Sequence, residues 1–314
     1  MTEINLKITS YNVHSCIGSD GVYSVERIAE VIRQSSSHVT CLQEIEVNDN
    51  ATQTRIWSTL HCDNQPEYIA AKLGMKYYVF APAIRSVASS CCKEKHFPVS
   101  SLDMITNNKL KMNDTSSHDL EVNDNQISGK FGIAILSQYP ILQIQTHQYQ
   151  RYKHKTIRNA VACLIALPNN TKIWIVNTHL GCHVWGYEQY FQARELVSFM
   201  NSLPTSDDDI CGIVLCGDFN SLPFFSSIHE IESDLFLDAW QQVGGNGLGA
   251  TFPSDALLSS KYCPCSARLF RLDYIFVKSC GNVIVKGCYV QNGNQECRSA
   301  SDHLLLCTIL IIQT

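Results

Sequence analysis

Two hydrophobic periods alternate along this chain, and together they predict most of its elements. Lys7 to Val13 alternates in character and reads as a strand. Val25, Ile28, Ala29 and Ile32 recur at helical spacing behind Ser24, so 25–34 reads as an amphipathic helix with Ser24 as N-cap. His38 to Ile45 is an apolar run closed by the polar pair Gln43-Glu44, as in a buried strand. Gln65 to Leu73 predicts a helix stopped by Gly74, and Tyr77 to Ala81 a strand. Further strands are expected at 131–136, 141–147, 159–167 and 171–177, with Tyr139-Pro140 and Pro168-Asn169-Asn170 as turns. A helix is expected over about 187–201. A strand at 212–216 then runs into Gly217-Asp218-Phe219-Asn220, and a helix-like stretch follows at 225–233. The segment 244–270 is rich in loop formers, and strands at 271–277, 283–290 and 304–312 complete the chain.

Residues 86–128 break this pattern. They are rich in Ser, Asn, Asp and Lys with weak periodicity, and read as a polar, partly disordered surface insertion. Elsewhere strands outnumber helices, neighbouring strands are often hairpin-connected, and no interdomain linker interrupts them. The expectation is one domain over 1–314, a four-layer α/β sandwich of two packed, mainly antiparallel sheets flanked by helices.

Composition narrows the function. With 24 Lys+Arg against 29 Asp+Glu, the formal charge is −5. A protein built for tight, sequence-independent DNA binding carries a basic excess that this chain lacks. No apolar run approaches the ~18 residues that span a bilayer. The N-terminus shows no basic region followed by an apolar stretch, so a cytoplasmic protein is expected. The 15 cysteines fall largely in strand-like apolar runs and are expected as buried free thiols.

Candidate chemistry collects where strands end. Asn12, Glu44, His179, Asp218 and Asn220 follow apolar runs, Asp273 opens one, and Asp302-His303 precedes another. Strand ends of a sandwich can converge on one rim, where loops on a rigid scaffold carry function. Carboxylate and amide oxygens are the hard ligands that Mg²⁺ takes, and histidines suit phosphate binding and acid–base work. There is no Cys-x₅-Arg loop and no glycine-rich loop with lysine, so neither a cysteine phosphatase nor a P-loop enzyme is indicated.

Six segments, in order, resemble the endonuclease/exonuclease/phosphatase superfamily: Ser10-Tyr11-Asn12-Val13-His14, Leu42-Gln43-Glu44-Ile45, Asn177-Thr178-His179-Leu180, Gly217-Asp218-Phe219-Asn220-Ser221, Arg271-Leu272-Asp273-Tyr274-Ile275 and Ser301-Asp302-His303. That group holds deoxyribonucleases, abasic-site endonucleases, neutral sphingomyelinases and inositol-polyphosphate 5-phosphatases. The resemblance implies a Mg²⁺-dependent hydrolase of phosphate esters, foremost a phosphodiesterase working by in-line water attack, with Mn²⁺ as a substitute metal. It implies metal ligation by Glu44, Asn12 and Asp302, and water activation by Asp218. It also implies phosphate or water contact by Asn220, phosphate contact by His179, and acid–base transfer by His303 oriented by Asp273. Arg158 and His14 are substrate-binding candidates. His179 stands where abasic-site endonucleases carry tyrosine, which favours the other branches. Leu215 and Leu222 stand where the 5-phosphatases carry tryptophan and arginine, which argues against a phosphoinositide. Asn12-Val13-His14, Asp238-Ala239-Trp240 and Thr251-Phe252-Pro253 are similar to an orphan branch of the superfamily.

The expected partner is a phosphate-ester substrate, a nucleic acid or a phospholipid head group; no protein partner is expected. Competing readings are a phosphomonoesterase, a non-catalytic binding module, and membrane association through 86–128 by Lys93, Lys95, Lys109 and Lys111. His14 either shares a strand face with Asn12 or is a loop histidine satisfied by backbone. Asp238 is expected to brace Trp240, and Asp20-Gly21 to form a turn. Cys263-Pro264-Cys265 and Cys91-Cys92 lack partners at zinc spacing. Trp185, in a loop with His183, is a candidate for contact with substrate or lipid, and Phe224 and Phe225 are weighed as a wall or as core.

Overall fold

The computed structural model describes residues 3–48, 52–54, 59–87, 95–98, 105–106, 127–150, 157–207, 209–245, 247–254, 270–280, 283–291 and 298–313. Its strands are β1 (Glu3–Asn12), β2 (Val39–Val47), β3 (Thr52–Gln53), β4 (Leu60–His61), β5 (Tyr77–Val87), β6 (Lys95–Pro98), β7 (Ile105–Thr106) and β8 (Ile127–Ser137) in the first half. The second half adds β9 (Ile141–Gln148), β10 (Asn159–Ala166), β11 (Lys172–His179), β12 (Ile210–Asp218), β13 (Leu237–Asp238), β14 (Asp273–Ser279), β15 (Val283–Val290) and β16 (Leu306–Gln313). Helices are α1 (Val25–Ser35), α2 (Gln65–Leu73), α3 (Tyr187–Asn201), α4 (Ser226–Ser233) and the short α5 (Ala239–Gln242).

The strands form two main sheets. One runs β15-β16-β1-β2-β8-β5-β6 with β7 also on β5, and the other β13-β14-β12-β11-β10-β9. Pairing is antiparallel except for β1 with β2 and β11 with β12, which are parallel. Each parallel pair is joined through a helix, α1 or α3, because a parallel connection must cross the sheet. Ile8, Cys41, Ile133, Val161, Ile175, Val214 and Leu310 pack in the core between the sheets. Ile28, Ile32, Leu42, Ile69 and Leu136 pack α1 and α2 on the first sheet, and Trp174, Leu196, Leu215 and Ile228 pack α3 and α4 on the second. These are the four expected layers.

The helices begin and end as their sequences dictate. Ser24 accepts the amide of Arg27 at the start of α1. Gly74 closes α2 at φ 65, a left-handed conformation that costs glycine little. Between 86 and 128, the described parts are strand: β6 and β7 pair with β5, and β8 begins at Ile127. The rest of that insertion lies outside the described residues, as do Cys91-Cys92 and Cys263-Pro264-Cys265. All ten described cysteines are free thiols. Among the described residues no helix is long and apolar enough to cross a membrane.

Strand parity positions the polar rim. In β1, Leu6 and Ile8 face the inter-sheet core, so Asn12 at the end of the strand faces the same gap. The same alternation carries Ile175 to His179 in β11, Val214 and Cys216 to Asp218 in β12, and Ile275 back to Asp273 in β14. In β2 the register with β8 breaks between Leu42 and Ile45, a bulge that switches the strand's later apolar residues to the helix side. Glu44 lies in that bulge.

Candidate active site

Asp218 is the centre of the rim. It is 1 % exposed, and its Oδ2 accepts a hydrogen bond from Asn12 Nδ2 at 3.0 Å, across the gap between the sheets. His179 Nε2 lies 3.5 Å and His303 Nε2 3.8 Å from the same oxygen. Its other oxygen accepts the backbone amide of Asn220 at 2.9 Å. Burial pushes the Asp218 carboxyl up to about 7, against the lowering effect of His303.

His303 and Asp273 form a buried pair, Nδ1 to Oδ2 at 2.8 Å. Burial alone lowers the His303 pKa, but the carboxylates of Asp273, Asp218 and Asp302 outweigh it and hold the imidazole well above its ordinary value. The segment Thr251–Ser254 braces both residues. Thr251 Oγ1 accepts the Asp273 amide, Thr251 O accepts the Leu304 amide, and the Phe252 ring lies 4.9 Å from the His303 ring. Ser301 Oγ donates to Asn12 O at 2.7 Å and accepts the His303 amide, tying this loop to β1.

His179 is flanked by a cation. Arg158 Nη1 lies 3.0 Å from its Nδ1. A guanidinium has no lone pair to offer, so in this contact Nδ1 is the acceptor. The Nε2 edge faces Asp218, and it lies 3.8 Å from Glu44 Oε1. Asn220 sits beside it, its Nδ2 3.1 Å from Nε2 and donating to Leu180 O.

Backbone strain concentrates here. Glu44 has φ 56 and Asn220 φ 46, and His14, Ser15 and Cys16 are consecutive at φ 50, 53 and 60. Non-glycine residues rarely adopt this region, and such conformations persist where the surroundings over-determine them. Of the two readings of His14, the turn favours the loop histidine over a strand face shared with Asn12. The chain leaves the sheet after Asn12, so alternation no longer applies. The His14 amide donates to Asn12 Oδ1, its Nδ1 pairs with Ile17 O at 3.0 Å, and its Nε2 lies 3.8 Å from Asp302 Oδ2. It is a loop histidine engaged by backbone, at the edge of the rim. Asp302 meets His14, not Glu44, in the described contacts.

Two donor sets could take a divalent cation. Asp218, Asp273 and His303 present ligand atoms within 4.8 Å of one another. That trio is the poorer host, since an imidazolium cannot ligate and His303 Nδ1 already serves Asp273. Glu44 fits better. Among the described residues its carboxylate takes no hydrogen bond, its nearest ionic neighbour is 3.8 Å away, and the bulge aims it into the cleft with 18 % exposure. Asn12, joined to Asp218, offers the second oxygen.

Several contributors are invisible in sequence patterning. Gln43 Nε2 donates to Asn177 Oδ1 at 2.8 Å, and Asn177 Nδ2 donates to Leu42 O and Ala134 O, all fully buried between the sheets. Both residues lie inside the quoted segments, and their polarity at core positions was the available signal. Behind Glu44, Ser15, Glu46, His61 and Gln65 form a buried polar network. Asp238 caps Trp240, as expected, and also meets Arg271 at 2.7 Å. Asp20 and Gly21 form the expected turn.

A sandwich with histidines, carboxylates and amides gathered at one rim defines a hydrolase-like class of α/β proteins. The chain belongs to the Endonuclease/Exonuclease/phosphatase family, whose sequence profile matches residues 9–303. Members of that family are generally hydrolases of phosphate esters and typically depend on a divalent metal. A search of curated proteins finds no match. Among solved structures, the chain is similar to an endonuclease/exonuclease/phosphatase from Beutenbergia cavernae DSM 12333, at 18% identity and TM-score 0.67, over 98% of this chain and 72% of that one. It is also similar to the human Nocturnin catalytic domain with bound sulfate, at 18% identity and TM-score 0.63, over 99% and 97%. The D. rerio TDP2 complexed with single-strand DNA product aligns at 16% identity and TM-score 0.59, over 98% of each chain. At these identities the likeness is one of fold.

Proposed function

We propose that this protein is a Mg²⁺-dependent phosphodiesterase, with Mn²⁺ as a substitute metal. The observation that carries the reading is the surroundings of Asp218: a buried carboxyl, raised to about 7, between Asn12 and two histidines. Such a group can take a proton near neutral pH. Glu44 and Asn12 would hold the cation, while Asp302 stands at the edge of the rim against His14. When bound there, the cation supplies Lewis-acid neutralisation of the phosphoryl charge.

Asp218 takes a proton from water as the water oxygen bonds to phosphorus, in line with the ester oxygen. The phosphorus–oxygen bond to the departing alcohol breaks, and that oxygen receives a proton from His303. Asp273 orients His303 through Nδ1, leaving Nε2 as the transferring atom. His179, held by Arg158 at Nδ1, turns its Nε2 edge to the phosphate, and Asn220 positions the water or phosphate. The chemistry uses no covalent intermediate.

The test is cleavage of bis-p-nitrophenyl phosphate and p-nitrophenyl phosphate, with and without Mg²⁺ or Mn²⁺, by the wild type and His303→Ala. Metal-dependent diester cleavage lost in the variant is expected. Cleavage of the monoester alone would replace this reading with a phosphomonoesterase, and metal titration without turnover of either would oppose both.

A further inference from the structure

Two loops that leave the rim carry a cluster of exposed apolar side chains. Val184 (82% exposed), Trp185 (77%) and Tyr187 (63%) follow His179 on the way into α3, and Phe224 (70%) follows Asn220 on the way into α4. The loops are fixed to each other and to the rim. Gln189 Nε2 donates to both His183 O and Asn220 O. The Phe225 ring packs on Gly186, where an added Cβ would stand 2.9 Å from it, and Phe224 stacks edge-on against Phe225 at 5.4 Å. The cluster is therefore a built platform beside the cleft, with a groove of about 720 Å³ between its aromatic walls.

We propose that this platform seats the protein on a zwitterionic phospholipid surface and presents head-group phosphodiesters to the rim; the inference rests on the phosphodiesterase reading above. Charge selects the occupant. The groove is lined by Glu230 and by no lysine or arginine, and Arg194 stands outside it, beyond Phe191. A nucleic-acid strand or an anionic bilayer needs cations beside the aromatics. A zwitterionic surface does not. Trp and Tyr favour the membrane–water interface, and an exposed Val adds apolar area but no stacking face.

The full-length protein is sedimented with phosphatidylcholine vesicles, alongside a Trp185→Ala/Phe224→Ala variant that leaves Phe225 and Gly186 in place. Wild-type protein should bind, and the variant should lose on the order of tenfold or more in vesicle affinity, from two aromatic anchors withdrawn. Hydrolysis of vesicle phosphatidylcholine should fall in parallel, while soluble bis-p-nitrophenyl phosphate is cleaved as by the wild type. Soluble diester turnover with no vesicle binding by wild type overturns the platform and leaves the phosphodiesterase standing. Binding of single-stranded oligonucleotide that depends on Trp185 and Phe224, without vesicle binding, also overturns it. Vesicle binding lost in the variant, in a protein that cleaves no diester, upholds the docking surface and removes the catalytic reading instead.

Discussion

Gln43 and Asn177 meet amide to amide, 2.8 Å apart, buried in the gap between the two sheets. Each precedes a candidate site residue on its strand, Gln43 by one position and Asn177 by two. Their bond therefore sets the spacing of Glu44 from His179. Asn177→Ala leaves Leu42 O, Ala134 O and Gln43 Nε2 with one partner fewer. Gln43 Nε2 keeps Ser10 Oγ and Cys41 O, so the cost falls on the two carbonyls, at about 1–3 kcal/mol for a buried group left without a partner. Chemical denaturation should show a loss of that order or larger, and turnover should drop with it. An unchanged midpoint would mean that the bridge is dispensable.

Glu44→Ala should abolish tight Mg²⁺ binding in calorimetry without unfolding the protein. The residue is partly exposed and makes no described hydrogen bond that its loss would break. Retained affinity would move the cation to the Asp218, Asp273 and His303 trio.

His303→Ala should lower kcat on a diester by about 10²–10⁴-fold, the range for a positioned acid–base group. Asp273→Asn should also lower kcat, because an amide oxygen orients the ring without supplying charge. Thermal unfolding of both variants separates chemistry from folding. Full activity in His303→Ala would exclude the proton transfer assigned to it.

The metal-free protein should lose stability as pH rises from about 5 to 8. The folded Asp218 carboxyl is raised to about 7 by burial, so ionising it costs more folded than unfolded, and stability falls as pH climbs from its ordinary value through 7. His303 acts in the same direction. Its raised pKa contributes stability that is complete below 6.5 and lost as pH passes through the folded value. Asp218→Asn removes the first contribution. With chelator present, its Tm relative to wild type should therefore increase between these pH values. A constant difference would contradict the burial effect.

Arg271→Ala should destabilise by about 3–5 kcal/mol, since it strands a buried carboxylate. Arg271 and Asp238 are 5% and 2% exposed, and the guanidinium also lies 4.7 Å above the Tyr274 ring. Denaturant titration of the variant gives the number directly.

Much of this was legible in the sequence, because local rules act on local residues. Ser24, Gly74 and the 3.6-residue period of 25–34 determined two helices, and period-2 apolar runs determined most strands. Parity then put Asn12, His179, Asp218 and Asp273 on the inner faces of their strands. Only the tertiary structure decided which ends meet. The Asn12–Asp218 bond joins residues 206 positions apart, and no local period encodes that pairing. The bulge at Glu44 and the left-handed turn at His14–Cys16 were likewise hidden, since Glu44, Ser15 and Cys16 are not side chains that announce positive φ. The platform at Trp185 and Phe224 follows the same division. Sequence shows aromatics in two loops, but whether an aromatic is core or surface depends on what the rest of the chain packs against it.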